Sequence, residues 1–383
     1  MLLYALKMLI GDKAKYIGII LGLSFASFII SQQAAIFIGI MTRTCGFITD
    51  TSQPNIWVVD PKVQYIDDIK PLKDTQVYRV RGIQGVAWAV PLYKGLIKAR
   101  LANGNFQTCI VIGIDDATLI GQPPKLIEGN IEDLRAPDAI IVNDVGAGDK
   151  LAHKKGDLTV PLQVGDRIEL NDNRTKVVGI CSVSRTFQSQ PVVYMTYNRA
   201  LSIAPSERKL LSFILARSEP GEDPQAVCRR IQETTGLAAY TSDQFKTLTV
   251  DYYLRYTGIP INFGVAVILG FIIGCAIAGQ TFYNFTMDNL RYFATFKAMG
   301  ANTRLLVRMI LFQSIWVGAI GWGIGIGGAC LFGFLARKTE LSFWMPWQLF
   351  LGTGIAMSAI CSIAALISVW KVRRVDPAIV FKS

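Results

Sequence analysis

The sequence predicts a membrane protein, with an all-α transmembrane region of four helices plus an α+β extracytoplasmic (periplasmic) domain with two subdomains. Three observations carry this expectation. The 383-residue chain is 51% hydrophobic but only 17% charged, whereas soluble domains are about 25% charged. Its apolar residues concentrate in four runs, 17–41, 259–285, 309–336 and 343–370, none of which contains an ionisable Asp, Glu, Lys, Arg or His. Each run exceeds the roughly 18 apolar residues that cross a bilayer. Between the first and second lies a long segment, 42–256, of ordinary soluble composition.

The elements follow in chain order. Residues 1–15 place Leu2, Leu3, Leu6, Leu9 and Ile10 on one helical face before a Gly11-Asp12 break. That pattern reads as an amphipathic helix at the cytoplasmic face of the membrane, or as an early start to the first span. The apolar run that follows is too long for a secretory signal and has no A-x-A ending, so 16–41 is read as transmembrane helix 1. The domain at 42–256 carries Val- and Ile-rich runs at 55–60, 85–90, 109–115, 138–144, 176–181, 191–197 and 211–217, bounded by Pro, Gly, Asn and Asp as strands are. Helices are expected over 66–80, with acids early and bases late, and over 223–235, which opens with Asp-Pro. Changes of character near 113–121 and 205 divide the domain into a subdomain of 42–112 plus 210–256 and an inserted subdomain of 113–209. Transmembrane helix 2 at 259–285, a cytoplasmic coupling helix and loop at 286–304, transmembrane helices 3 and 4 at 309–336 and 343–370, and a cytoplasmic tail at 371–383 complete the chain.

Charge sets the orientation. The net charge is +11, but acidic and basic residues nearly cancel within 42–256. The excess sits in the short flanks, on Lys7, Lys13, Lys15, Arg291, Lys297, Arg304, Arg308, Lys371, Arg373, Arg374 and Lys382. Basic residues near span ends mark the cytoplasmic side. This predicts a multi-pass inner (plasma) membrane protein with both termini cytoplasmic and the large domain periplasmic. The charge therefore reports topology, and no nucleic-acid partner is expected.

Chemistry-bearing motifs are scarce. Gly323, Gly325 and Gly328 match G-x-G-x-x-G, but inside an uncharged span rather than between a strand and a helix. No Gly-Lys dipeptide exists to build a Walker A loop. His153, the single histidine, cannot assemble a typical ligand set alone. The acidic pairs Asp67-Asp68 and Asp115-Asp116 read as solvated surface, because adjacent side chains diverge. No catalytic, cofactor or metal residues are assigned, and no enzyme activity is expected of this chain. Gln32, Gln33, Gln280 and Gln313, the most polar residues of the spans, suit interhelical hydrogen bonds. With neither a proton relay nor a nucleotide loop, energy must arrive from a partner.

The spans carry small residues at packing intervals: Gly18 and Gly22 in the first, Gly270 and Gly274 in the second, Gly321 and Gly325 in the third. Such residues let helices approach closely in lipid, within the chain or across a dimer. Of the seven cysteines, Cys275, Cys330 and Cys361 lie in spans. Cys45, Cys109, Cys181 and Cys228 lie in the exported domain, where oxidation is permitted, although free thiols are favoured.

The most informative segment is 286–310. Leu290, Phe293, Phe296 and Lys297 recur at helical spacing, Met299-Gly300 ends that helix with a glycine suited to a left-handed cap, and Asn302-Thr303 caps the next. Exposed aromatics on a cytosolic helix suit a groove in a partner protein, or contact with membrane lipid. Within it, FATFKAMGAN resembles the cytoplasmic loop of MacB/FtsX-like ABC permeases (type VII), through Lys297, Ala298, Met299, Gly300 and Ala301. The Phe and Thr before Lys297 are most similar to the DevC-like branch. The closing KVRRVDPAIVFKS, with Asp376-Pro377-Ala378 and Phe381, resembles the family's C-terminal signature, and VPLQVGDRIEL, VVGIC and PVVYMTYNRAL resemble its outer domain.

That resemblance implies a permease subunit of an ABC-type exporter, working as a dimer with a second permease copy and two copies of a separate cytosolic ABC ATPase. It implies mechanotransmission, in which ATP-driven movement passes through the spans to the outer domain and drives export of an amphipathic or lipid-like substrate. A periplasmic adaptor (membrane fusion) protein and an outer-membrane channel would complete a tripartite assembly. Leu290, Phe293, Phe296, Lys297, Met299 and Gly300 would then form the ATPase-coupling element. Where family loops often have an early Glu, this chain has Asp288 and Asn289. The resemblance also admits a lipoprotein-releasing permease or an FtsX-like signal transmitter to cell-wall hydrolases.

Overall fold

The computed structural model describes residues 2–101, 104–155, 158–205 and 210–373. The chain forms two compact units, residues 1–40 with 258–383 and residues 41–257. The closing Asp376-Pro377-Ala378 signature and Phe381 lie outside the described residues.

Helix α1 (Leu2–Gly11) stops at Asp12, and α2 (Lys13–Thr44) starts at once. Asp12 accepts a hydrogen bond from the Lys15 backbone N–H at 3.3 Å, serving one of the donors a helix start leaves open. The inner face of α1 is more than a lipid-facing surface. Ala5 and Leu9 are fully buried, and Gln313 Nε2 donates to the Ala5 carbonyl at 2.6 Å.

The unit of residues 41–257 begins with the short α3 (Gly46–Asp50), β1 (Ile56–Val59), α4 (Thr75–Arg81), β2 (Val86–Arg100), β3 (Phe106–Ile114), β4 (Lys125–Gly129), β5 (Ala139–Asn143), β6 (His153–Lys155) and β7 (Leu158–Val160). It continues through β8 (Arg167–Leu170), β9 (Asn173–Ser182), β10 (Val192–Thr196), α5 (Tyr197–Ile203), β11 (Phe213–Ser218), α6 (Pro224–Thr235), β12 (Ala238–Thr241) and α7 (Ser242–Tyr256). Ten strands make one mixed sheet in the order β12-β1-β11-β2-β3-β10-β5-β9-β4, with β8 on β2 and β9, while β6 and β7 pair apart. All seven Val- and Ile-rich runs are strands.

The helix expected over 66–80 forms only from Thr75 to Arg81. Pro71 cannot supply a helical N–H inside that stretch, and Leu72 instead bridges to Leu211. The helix over 223–235 forms as α6. Asp223 Oδ1 accepts from the Gln225 N–H at 3.1 Å, Pro224 takes the first turn, and Gly236 closes it at φ +73°.

β2 is the organising strand. Its first half pairs with β11 and its second with β3, and β3 pairs in turn with β10. β11 pairs with β1 and with the first half of β2, and β12 pairs with β1. The expected cut at 112/113 falls inside β3. The sheet buries both faces: Tyr93, Val111, Val142 and Val193 belong to one core, and Trp57, Ile112, Phe213 and Phe245 to the other.

In the other unit, α8 (Ile259–Asp288), α9 (Leu290–Ala298), α10 (Thr303–Leu335) and α11 (Trp347–Arg373) follow. Among the described residues four helices, α2, α8, α10 and α11, are long and apolar enough to cross a membrane. Their core holds Ile19, Leu23, Phe282, Phe285, Val317, Met357 and Ile360. Glycine sets how closely they approach. A Cβ on Gly325 would lie 2.6 Å from the Ser24 carbonyl, and one on Gly321 2.7 Å from Leu23 Cβ, which fixes α10 against α2. Gly274 would meet Ala26 Cβ at 2.9 Å and Ile360 at 3.0 Å, Gly270 would meet Ile29 and Ile30 at 3.2 Å, and Gly22 would run into Ile277. Gly18 differs: a Cβ there would meet nothing within 4 Å. Gly18 itself is exposed.

Candidate coupling site

α9 is a nine-residue helix between two spans, set off at both ends by local chemistry. Asn289 Nδ2 donates back to the Phe285 carbonyl at 2.8 Å, ending α8. At the far end the Ala301 N–H reaches the Phe296 carbonyl at 2.9 Å and Gly300 adopts φ +91°, a glycine-closed C-terminus. Asn302 Oδ1 then caps α10 by accepting from the Arg304 N–H at 3.4 Å.

The two faces of α9 differ sharply. Phe293, 1% exposed, packs with Ala5 of α1, Leu306, Met309 and Ile310 of α10, and Ala365 and Val369 of α11; Phe296, half-buried, leans on the same cluster. Leu290 and Lys297 are half-buried too. Of the Leu290, Phe293, Phe296 and Lys297 face expected to meet a partner, Phe293 is thus taken up inside the chain, while the other three keep part of their surface open. Burying an aromatic ring removes a large apolar area from water, and the chain's own helices supply the partner surface. The outward face carries Arg291, Tyr292 (61% exposed), Thr295, Ala298 and Met299 (67% exposed). Of the expected coupling residues, Phe293 is buried, Leu290, Phe296 and Lys297 are half-buried, and Met299 and Gly300 are exposed. Tyr292, exposed beside them, lies off the aromatic stripe that periodicity picks out.

A second tie lies beside α9. Lys15 at the start of α2 pairs with Asp12 at 2.8 Å and with Asp288 at the end of α8. The departure from an early family Glu thus has a local role, because Asp288 bonds α8 to α2. Lys15 also draws the Asp12 carboxyl below the usual carboxylate range, chiefly through its side-chain hydrogen bond. A cleft of about 880 Å³ opens here, lined by Lys7, Met8, Asp12, Asn289, Tyr292 and Phe296 among others. Through Phe293 and Lys15 together, the α8–α9 corner is fastened to the other three spans, α2, α10 and α11.

Other sequence candidates fall elsewhere. Asp68 pairs with Lys70 at 2.7 Å, Asp115 accepts from the Thr118 N–H and Oγ1 at 2.9 and 2.7 Å, and His153 lies 3.9 Å from Asp166. Asp67, read as plain surface, instead pairs with the buried Lys94. Among the described residues no three His, Cys, Asp or Glu side chains gather as a metal cluster. All seven cysteines are free thiols. Burial pushes the Cys109, Cys181 and Cys228 thiols up to about 12, which keeps them protonated at neutral pH.

Comparison with known proteins gives two family matches. Residues 17–234 match the MacB-like periplasmic core domain, and residues 248–377 match the FtsX-like permease C-terminal region. An uncharacterized ABC transporter permease of Mycobacterium bovis is 25% identical over 223 residues, 58% of this chain and 59% of its own length. Another from Mycobacterium tuberculosis is 24% identical over 317 residues, 81% of this chain and 79% of its own. One from Methanocaldococcus jannaschii is 23% identical over 206 residues, half of each chain. The chain thus spans about three-fifths of the length of the first of these relatives. Among solved structures, the periplasmic region of MacB from Actinobacillus actinomycetemcomitans is similar at 13% identity and TM-score 0.38, over 52% of this chain and 94% of that one. The extracellular domain of the noncanonic ABC-type transporter YknZ from Gram-positive bacteria is similar at 14% identity and TM-score 0.35, over 49% and 99%. A family match across more than half its length, followed by a second across most of the remainder, means that this chain belongs to the MacB/FtsX-like family of ABC transporter permeases.

Proposed function

We propose that this permease transmits force from a separate cytosolic ABC ATPase to its periplasmic domain and thereby drives export of an amphipathic or lipid-like substrate. The observation that carries the reading is the two-faced α9. Its inner face is keyed by Phe293 to α1, α10 and α11, while its outer face leaves Tyr292 and Met299 in the open. Large apolar side chains exposed on a short helix suit a groove in another protein. A push on such a handle moves packed helices rather than a loose loop, because close-packed interiors transmit strain. Nucleotide chemistry comes from outside these residues, which hold no Gly-Lys pair for a phosphate loop.

The finer parts of the reading follow from the same frame. Both termini and α9 lie in the cytoplasm, and residues 42–256 outside. A second permease copy completes the pair of sites that two ATPase subunits need. A periplasmic adaptor and an outer-membrane channel carry the substrate onward, as the similarity of FATFKAMGAN (293–302) to the DevC-like branch suggests.

The test is capture of the ATPase from native membranes by the tagged full chain. The double variant Tyr292→Glu, Met299→Glu should insert normally and lose most of the co-purifying ATPase, at least about tenfold, since buried interface aromatics commonly carry 2 kcal/mol or more. Undiminished capture by that variant removes α9 from the contact.

A further inference from the structure

The domain unit contains a cavity of about 770 Å³ that the coupling mechanism does not use. Its size falls in the range of small-molecule pockets, about 300–1,000 Å³. The floor is apolar sheet: Ile110 and Ile112 of β3, Val192 of β10, and Leu96 of β2, which is 45% exposed. One wall is aromatic. Tyr65 stacks on Tyr252 with ring centroids 4.2 Å apart, and Phe187 packs on Tyr253 at 5.3 Å.

Lys94 also lines this cavity, and its side chain is only 5% exposed. Among the described residues it is the one charged side chain in the buried class. A lysine in mid-strand, between Tyr93 and Gly95, costs desolvation free energy unless its ammonium is paired. Its partners are the Asp67 carboxylate, the Ile66 carbonyl at 3.3 Å and the face of Phe47, 5.0 Å from the ring centroid. Asp67 belongs to a loop and its side chain is 41% exposed, so it can turn to water at little cost while Lys94 cannot. The other two carboxylates of the lining are committed. Asp68 holds Lys70, and Asp50 accepts from the Ser184 N–H and Oγ at 2.7 and 2.8 Å. An arrangement in which a fixed buried cation is paired with a displaceable anion, above an apolar floor whose exposed part is Leu96, is the complement of an amphipathic anion.

We propose that this cavity binds a long-chain amphipath with an anionic head, a carboxylate or phosphate that displaces Asp67 from Lys94. The apolar body lies on Leu96 and Ile110 and against the Tyr65–Tyr252 stack. Binding needs only the cavity; that the ligand is exported cargo rests on the export reading above.

The experiment is photo-crosslinking of the full chain in nanodiscs with a diazirine-bearing alkyl carboxylate and with the uncharged alkyl alcohol of the same length. The carboxylate is expected to label peptides containing residues 65–69 and 94–96 far more than the alcohol does. Lys94→Met should cut that label about tenfold, and Asp67→Asn, which removes the competing anion, should raise it several-fold. Equal labelling by the two probes, an unchanged Lys94→Met variant, or loss of label in Asp67→Asn overturns the proposal, the last because it would mean that the ion pair only pins the loop. Leu96→Trp, which fills the floor without touching the ion pair, should abolish labelling with an unchanged circular dichroism spectrum, and retained labelling in it also counts against the site. Mass spectrometry of wild-type protein taken from membranes separates sources. A lipid carried by wild type and lost in Lys94→Met assigns the ligand to the bilayer, whereas labelling competed only by added free amphipath assigns it to solution, and either supports the site. No arm needs the ATPase, so failure here leaves the coupling reading intact, and failed ATPase capture leaves the cavity intact.

Discussion

Asp50 illustrates how one side chain ties sequence to measurable behaviour. It ends α3, beside the cavity of the domain, and burial raises its carboxyl above the ordinary range although Ser184 donates twice to it. A carboxyl raised in the folded state contributes stability that is full below its unfolded value and lost as pH rises through the folded value. Asp50→Asn keeps an acceptor for Ser184 and carries no charge. The variant should melt higher than wild type at neutral pH and converge with it in acid, as followed by thermal unfolding of the full chain across that range; parallel curves would remove Asp50 as the cause. Nothing in the sequence signals this residue, nor Lys94, because burial of a charged group depends on what folds over it. Lys94 reads as a solvent-facing strand position until the loop at 66–68 is laid across it. The buried cysteines are different. Their surroundings in CIVIGID and KVVGIC are already apolar enough to suggest thiols inside a sheet.

Among the elements, the strands with dense Val and Ile were legible and the short polar ones, β4, β8 and β12, were not, since KLIEG, RIEL and AAYT carry little hydrophobic signal. The C-terminal end of α9 was readable from Gly300 and Asn302, but its start at Leu290, after α8 has run on to Asp288, was not. Its facing was not: periodicity finds the apolar stripe but cannot say whether α10 and α11 or another protein covers it. The glycine intervals were similarly ambiguous, and the helices resolve them. Gly325 sits against the backbone of α2, whereas a Cβ at Gly18 would meet nothing within 4 Å. Gly325→Val should therefore destabilise the bundle by roughly 1–3 kcal/mol, the usual cost of overpacking. Gly18→Ala should be neutral or gain up to about 1 kcal/mol in helix propensity. Unfolding in mild detergent reads both, and equal effects would contradict the packing described.

For the molecule as a whole, the long apolar runs and the basic flanks were enough to foresee four membrane helices and an exported domain, because bilayer thickness and backbone satisfaction leave few alternatives. Orientation has a direct check. The domain's own thiols are buried, and a thiol raised to about 12 presents almost no thiolate at neutral pH, so background labelling will be low. An impermeant maleimide should modify Lys125→Cys from outside the inner membrane and Thr295→Cys only after lysis; the reverse pattern would invert the topology. The shared strand β2 bears on what such a molecule can do outside the cell. Because fifteen residues run without interruption from the β11 side of the sheet to the β3 side, the two sides cannot flap about a linker like a jaw. Whatever displacement reaches the domain has to be taken up as twist of a single plate, and a plate that twists shears or pinches a surface cavity without ever opening wide.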